Sequence, residues 1–311
     1  MAFSRREEKR EGRLLDILSD EKAGLRLIVS RLGAELVSLA RRDNRGEWVG
    51  FLHRDNDLSA PAKGWANHAT VMGYFLHRLK NQRSLYRGQE ITGGNHSFLR
   101  TKEWHVADTS GQEGCLAYQI ARPDLTSTEY PLDVSLNLSY AIEGERVRVT
   151  FHFENHEPEL SAHVGFGLHP GFAASTFDSF RFEMPAGLYR RHFSPNNFLS
   201  GETEDIQFAG GEMPFPREKL PGSFILELVN VPERTFTFLD EPSGRSIVSD
   251  LTDVPYLTLW SDERPFLCVE PCWGLTDHDA QRPFEEKEGI QVISRDGELR
   301  ASFTMMPQLA R

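Results

Sequence analysis

Apolar and polar residues alternate along the stretch from Val134 to Glu154. Val134, Leu136, Leu138, Tyr140 and Ile142 interleave with Ser135, Asn137, Ser139 and Ala141. After Glu143-Gly144-Glu145, Val147, Val149, Phe151 and Phe153 interleave with Arg148, Thr150, His152 and Glu154. A period of two sends successive side chains to opposite faces of a strand, so this pattern predicts an antiparallel hairpin with one apolar face. Similar short runs recur at Leu25–Ser30, Glu35–Ala40, Thr235–Leu239, Tyr256–Ser261, Ile290–Ser294 and Leu299–Met305. Turn formers separate many of them, including Asp43, Asn44 and Gly46, Pro242 to Gly244, and Asp296-Gly297. The stretch from Leu25 to Arg42 is long enough for a helix, but Gly33 interrupts it and alternation fits each half. The predicted class is all-β, a large antiparallel β-sandwich or barrel-like fold.

The 311 residues are enough to bury a substantial core. No repeat, low-complexity linker or charge-block boundary divides them, so residues 1–311 are expected to form a single domain. Long loops are expected at Asp55–Ala69 and Ser194–Pro221, and loops of that length are often functional. The basic start, Arg5 to Arg13, is interleaved with Glu7, Glu8 and Glu11, and residues 1–13 read as a frayed or solvated terminus.

A net charge of -11 and a pI near 5.5 argue against a nucleic-acid or membrane-surface binder, which needs a basic face. No apolar run approaches the ~18 residues of a membrane span, and the start lacks an apolar signal core. A cytoplasmic monomer or homodimer is expected. Cys115, Cys268 and Cys272 are too few for a disulfide framework. Cys268 and Cys272 stand four apart without a second such pair, so they read as buried thiols.

Four phrases concentrate glycine, aromatic residues and ionisable groups. GYFLHRLKNQRSLYRG carries His77, Arg78, Lys80, Asn81 and Arg83. ITGGNHSFLRTKEW carries His96 and Arg100 after Gly93-Gly94. HVGFGLHPGF sets His163 and His169 among Gly165, Gly167 and Gly171. LCVEPCWGLTDH places Glu270 on a short apolar strand before Trp273, Asp277 and His278. A carboxylate in such a setting is either neutralised by a partner or tuned for proton transfer. Aromatic faces beside planar or charged donors suit a carbohydrate, with Trp273, Trp104, Phe98 and Phe172 as candidate stacking surfaces. Taken singly, each residue has an ordinary structural explanation: a hydrogen-bonded histidine, a buried ion pair, a solvated arginine. Their joint occurrence points to a site.

In this order and at these separations, FLHRLKN, GGNHSFLR, GLHPGF and PFLCVEPCWG (the last after TLWS) resemble the aldose 1-epimerase, or galactose mutarotase, family in its divergent bacterial branch. The likeness runs from about Gly33 to Trp273. It implies a β-sandwich of the galactose mutarotase type and catalysis without a metal or organic cofactor. The family's acid histidine falls on His169 and its base glutamate on Glu270, while its substrate-binding arginine falls on Arg78 and its second active-site histidine on His96. Trp273, Arg100 and Lys80 are further candidates for substrate binding. Better-known members carry Gly where this chain has His77, and Gly-Gly where it has Ser97-Phe98. Their hydroxyl-gripping aspartate has no match between Phe193 and Asp253. These differences bear on the sugar more than on the reaction.

The implied reaction is mutarotation: Glu270 takes the proton of the anomeric hydroxyl while protonated His169 gives one to the ring oxygen. The two groups are expected to face each other across a space one hexose wide. Unperturbed Glu titrates near ~4.3 and His near ~6.5, so the expectation is that the carboxylate raises the histidine into its protonated form. Three other readings compete. A carbohydrate-binding protein would keep the aromatic and arginine groups without needing both titrating ones. A hexose-phosphate mutarotase would use Lys80, Arg83, Arg87 and Arg100 for the phosphate. A metal-dependent isomerase would draw ligands from His96, His163, His169 and Glu270.

Overall fold

The computed structural model describes residues 3–214 and 217–310. They form antiparallel sheets of five, nine and eight strands, with a small two-stranded hairpin and short 3-10 turns. The predicted hairpin consists of Val134–Glu143 and Arg146–Asn155, in register from Glu143↔Arg146 to Val134↔Asn155, and lies within the nine-stranded sheet. Its apolar face meets the eight-stranded sheet. Phe151 and Phe153 pack on Phe166 with ring centroids 5.1 and 4.8 Å apart, and Phe151 lies 6.0 Å from Trp273. This aromatic layer is part of the sandwich core.

Two neighbouring strands of the eight-stranded sheet position the site. Ala162–Ala173 and Phe266–Trp273 pair antiparallel, with Phe166↔Trp273, Gly167↔Cys272, Gly171↔Cys268 and Phe172↔Leu267 as partners. Alternation divides each strand. Val164, Phe166, Leu168, Phe172, Leu267, Val269 and Trp273 belong to the core cluster, so His169, Cys268, Glu270 and Cys272 point to the opposite face. That face is also covered: residues Phe266 to Trp273 are buried throughout. A strand buried on both sides shows little alternation in its sequence.

Two expectations need correction. Among the described residues the basic start is solvated, as one alternative had it, but not frayed: Phe3–Arg10 pairs along its whole length with Arg13–Asp20, as the edge of the five-stranded sheet. Arg5 anchors this edge by donating to Thr109 Oγ1 at 2.7 Å and to the Cys115 carbonyl. Charged residues occupy both faces of this edge strand, which erased the apolar signal. The second correction concerns Ser194–Pro221, which is not one long loop. It contains strands Thr203–Phe208 and Gly211–Glu212 and the turn Pro195–Asn197. Thr203–Phe208 pairs with Gly187–His192 at the edge of its sheet, where polar side chains are tolerated on both faces. Asp55 to Asn67, by contrast, is an irregular loop, as expected.

Candidate active site

The ladder pairs on either side of His169 and Glu270 put these two residues opposite each other on adjacent strands. Thr70 pairs with His169 from one side and Thr258 with Glu270 from the other. Thr70, His169, Glu270 and Thr258 therefore form a row across four strands. His169 Nε2 lies 3.2 Å from Glu270 Oε1. The expected gap of one hexose between them is absent, because cross-strand neighbours carry their Cβ atoms only about 5 Å apart. A ligand the size of a hexose fits over the pair but not between its members.

Glu270 has a second imidazole partner. His77 Nε2 lies 3.2 Å from Glu270 Oε2, so each carboxylate oxygen faces one histidine. His77 sits just beyond strand Ala69–Tyr74 with φ of 53°, and His96 beyond the small hairpin with φ of 60°. The His96 N–H donates to the His77 carbonyl at 2.6 Å, which docks one loop on the other. The imidazole of His96 then stands edge-on to both His77 and His169, with centroids 5.5 and 5.0 Å away.

These groups line a cleft with Arg78, Arg100, Asn95, Asn197, Thr276, Trp65 and Trp260. Thr276 is held by donating to the Asn197 carbonyl at 2.9 Å, which ties the cleft wall to the segment after Glu270. The arginines are notable for what they lack. Among the described residues neither guanidinium makes an ion pair or hydrogen bond, although Arg78 is exposed and Arg100 half-buried. Several buried polar atoms of this region also have no hydrogen-bond partner among the described residues, including His96 Nδ1, His169 Nδ1, Thr70 Oγ1 and Ser194 Oγ. Such atoms are uncommon in folded proteins, and their concentration here fits a surface built to meet a polar ligand.

Burial dominates the electrostatics. His169 is pushed below the usual histidine value by loss of water, against the opposing pull of Glu270; His77 and Arg100 add smaller repulsions. The expectation that the carboxylate would raise the histidine is thus overturned, because desolvation outweighs the single charge. Burial also drives His96 well down, with His169, His77, Arg100 and Arg78 adding to the effect.

Several sequence-derived candidates lie elsewhere. Trp273 faces the core, stacked on Phe166 at 5.1 Å, and donates its indole N–H to the Asp253 carbonyl. Trp104, Phe98 and Phe172 are core residues too. Lys80 does not line the cleft; its ammonium pairs with Asp279 at 2.6 Å. Asp277 is a buried structural acid bound by Lys287 at 2.6 Å. His163 shares a hydrogen bond with the Tyr86 hydroxyl at 3.2 Å and does not line the cleft, which separates it from the other members of the proposed ligand set. Among the described residues, the imidazole, carboxylate and thiol of His77, Glu270 and Cys272 bring donor atoms within 4.8 Å. Both carboxylate oxygens already face imidazoles, and burial pushes the Cys272 thiol far up, so this grouping reads as a hydrogen-bonded row. All three cysteines are free and buried.

The aromatic side chains that line the cleft are Trp65 and Trp260, which the sequence reading missed. Trp260 was recoverable by parity, since it stands two residues from Thr258 on the strand beside Glu270. Trp65, in the irregular loop, offered no periodic signal. No aspartate lines the cleft among the described residues; Asn95, Asn197 and Thr276 provide its neutral polar groups.

Residues 16–298 match the sequence model of the family described as Aldose 1-epimerase. The chain belongs to the aldose 1-epimerase family. It is therefore an isomerase by family, with a small-molecule sugar as substrate. A search of curated proteins found no match. The fold is similar to that of a galactose mutarotase related enzyme from Lactobacillus acidophilus, with TM-score 0.80, 21% identity, and coverage of 92% of this chain and 95% of that one. A galactose mutarotase-like protein from Lactobacillus casei gives TM-score 0.80 and 22% identity over 94% of this chain and 100% of the other. An aldose epimerase homologue from C. elegans gives 0.70 and 15% over 93% and 97%. At these identities the likeness concerns the fold. No helix among the described residues is long and apolar enough to cross a membrane.

Proposed function

We propose that this protein interconverts the α and β anomers of an aldose, with Glu270 as base and His169 as acid. The observation that carries this reading is their contact at 3.2 Å in a cleft lined mostly by hydrogen-bonding side chains, with two indoles and Ile225. The anomeric oxygen and the ring oxygen of a pyranose are bonded to the same carbon. Two proton-transfer groups in contact suit them better than two groups a ring apart.

Ring opening follows from that arrangement. Glu270 removes the anomeric hydroxyl proton, the carbonyl forms, the bond from the anomeric carbon to the ring oxygen breaks, and His169 protonates the departing oxygen. The open chain turns about its first carbon–carbon bond. The two transfers then run backwards on the other face of the carbonyl, restoring both side chains. Positioned transfers of this kind contribute about 10² to 10⁴-fold. His77 would hold the far oxygen of Glu270, and Arg78 and His96 would hold the sugar. Because His169 is biased towards its neutral form, the productive state is a minority at neutral pH and is replenished from solvent.

A second reading is favoured by one specific observation: the same cleft is lined by two arginines that make no ion pair among the described residues. An anionic aldose such as a hexose phosphate would supply the missing charge. Lys80, occupied by Asp279, would have no part in this. We further propose a single domain acting as a cytoplasmic monomer or homodimer, in keeping with three free buried thiols.

Saturation-transfer NMR across free and phosphorylated aldoses tests both readings. Exchange between anomers faster than in buffer is expected. No acceleration with any member of the panel would leave a carbohydrate-binding protein, and equal rates for glucose and glucose 6-phosphate would remove the anionic reading.

A further inference from the structure

The indole of Trp65 covers His169. The two rings stack 4.9 Å apart at 29°. Behind Trp65 stand Phe266 at 5.4 Å and His53 at 6.0 Å, and Trp260 meets it edge-on at 6.0 Å. Trp260 also stands edge-on to His169 at 5.8 Å, so two indoles confine the imidazole from different sides.

A clasp outside the cleft fixes this loop. Trp65 N–H donates to Asp262 Oδ2 at 2.9 Å, and Arg264 donates to the Trp65 carbonyl at 2.8 Å and the Lys63 carbonyl at 3.1 Å. Arg264 and Asp262 pair with each other at 2.6 Å. Two glycines make room for the assembly. A Cβ on Gly171 would lie 2.5 Å from the Trp65 ring, and one on Gly64, which has φ of 79°, would lie 2.3 Å from the Arg264 guanidinium. Gly171 is two residues beyond His169 and on the same face of the strand, so its missing side chain lets the indole lie beside the imidazole.

We propose that Trp65 is a positioning residue for His169, and that the Asp262–Arg264 clasp, which does not line the cleft, holds it in place. This rests on the mutarotase reading for its kinetic consequence but not for its structural one. The other charged or titratable groups facing His169 are Glu270 on the adjacent strand, His77 and His96 from the two docked loops, and Arg100 from the turn after His96. None of them covers the ring face that Trp65 occupies. The indole thus excludes water from the imidazole and limits its rotation, leaving the Nε2 edge directed at Glu270.

The test combines two readouts on the full-length chain. Side-chain NMR of His169 without any sugar follows its protonation, and saturation transfer with glucose and glucose 6-phosphate follows exchange. In Trp65→Ala the His169 titration is expected to move up towards the ordinary value of 6.5, as water reaches the ring. kcat is expected to fall by about tenfold or more, with KM changed less, because misplacement of a catalytic group lowers turnover steeply. Trp65→Phe should restore both. Arg264→Ala should move both in the direction of Trp65→Ala, and it supplies an independent variant should the first fail to fold. An unmoved or lowered His169 titration in Trp65→Ala overturns the proposal, as does a rise in KM alone or failure of Trp65→Phe to restore. If the parent chain accelerates no exchange, the mutarotase reading falls, while the titration still decides the role of Trp65.

Discussion

His169 and Glu270 are cross-strand neighbours whose Nε2 and Oε1 atoms lie 3.2 Å apart. Both are carried on paired strands, and the loop bearing Trp65 reaches only the imidazole. Glu270→Gln keeps the shape and removes the base, so activity is expected to fall by about 10² to 10⁴-fold with the thermal transition little changed. His169→Ala should do the same. Because they act as a unit, the double variant should be little worse than either single one. Parental exchange rates in both single variants would refute the assignment.

The depressed protonation of His169 has a consequence for pH. Ring opening needs the imidazolium, which is populated as pH falls towards a value below 6.5. kcat/KM is therefore expected to rise as pH is lowered from about 8 towards about 6, until protonation of the carboxylate reverses it. A rate increasing with pH over that range would contradict this use of His169.

Stability should respond to pH with a definite sign. His53 is buried against Phe266 and Trp65, and burial lowers it from 6.5 to about 4. The folded state thus prefers the neutral ring. Its contribution is intact above the unfolded value of 6.5 and is lost as pH falls from there towards about 4. Urea midpoints measured across that window are expected to fall, and His53→Phe should flatten part of the slope. A slope unaffected by the substitution would remove His53 as a contributor.

Arginine and lysine in the same phrase should separate cleanly. The Arg78 guanidinium lines the cleft without a partner among the described residues, so Arg78→Ala is expected to raise KM and lower kcat/KM together. Lys80 is paired with Asp279 and lies outside it, so Lys80→Ala should leave both constants within about twofold, as expected for a partly exposed ion pair. Steady-state exchange kinetics on the two variants decide the matter.

Trp273 should behave as core, not as site. Trp273→Ala is expected to cost about 3–5 kcal/mol of stability through the cavity it leaves beside Phe166. Trp273→Phe should retain most activity. Calorimetry beside kinetics would expose the opposite pattern, full stability with weakened sugar binding.

Much of this was legible in the chain. The hairpin around Glu143-Gly144-Glu145 lies where the pattern predicts it because one of its faces is apolar and the other polar. His169 and Glu270 stood out because ionisable groups interrupt otherwise apolar strands. The sequence could not convey which face of those strands meets the core, since both faces are buried and alternation fades. For that reason Trp273 was assigned to the sugar and Trp260 was overlooked. His77 was seen but not matched to Glu270, because that contact joins residues 193 positions apart through a loop docking that has no periodicity. Phe3–Arg10 was hidden by charges on both of its faces.

The row from Thr70 to Thr258 also separates two kinds of change. Spacing between acid and base is inherited from main-chain pairing, which tolerates almost any side-chain sequence around it. The walls over that row come from loops bearing Arg78, Asn95, Asn197 and Thr276, which can be rewritten without moving the floor. A chain built this way can change which ligand its walls admit while the proposed proton transfers beneath keep their geometry.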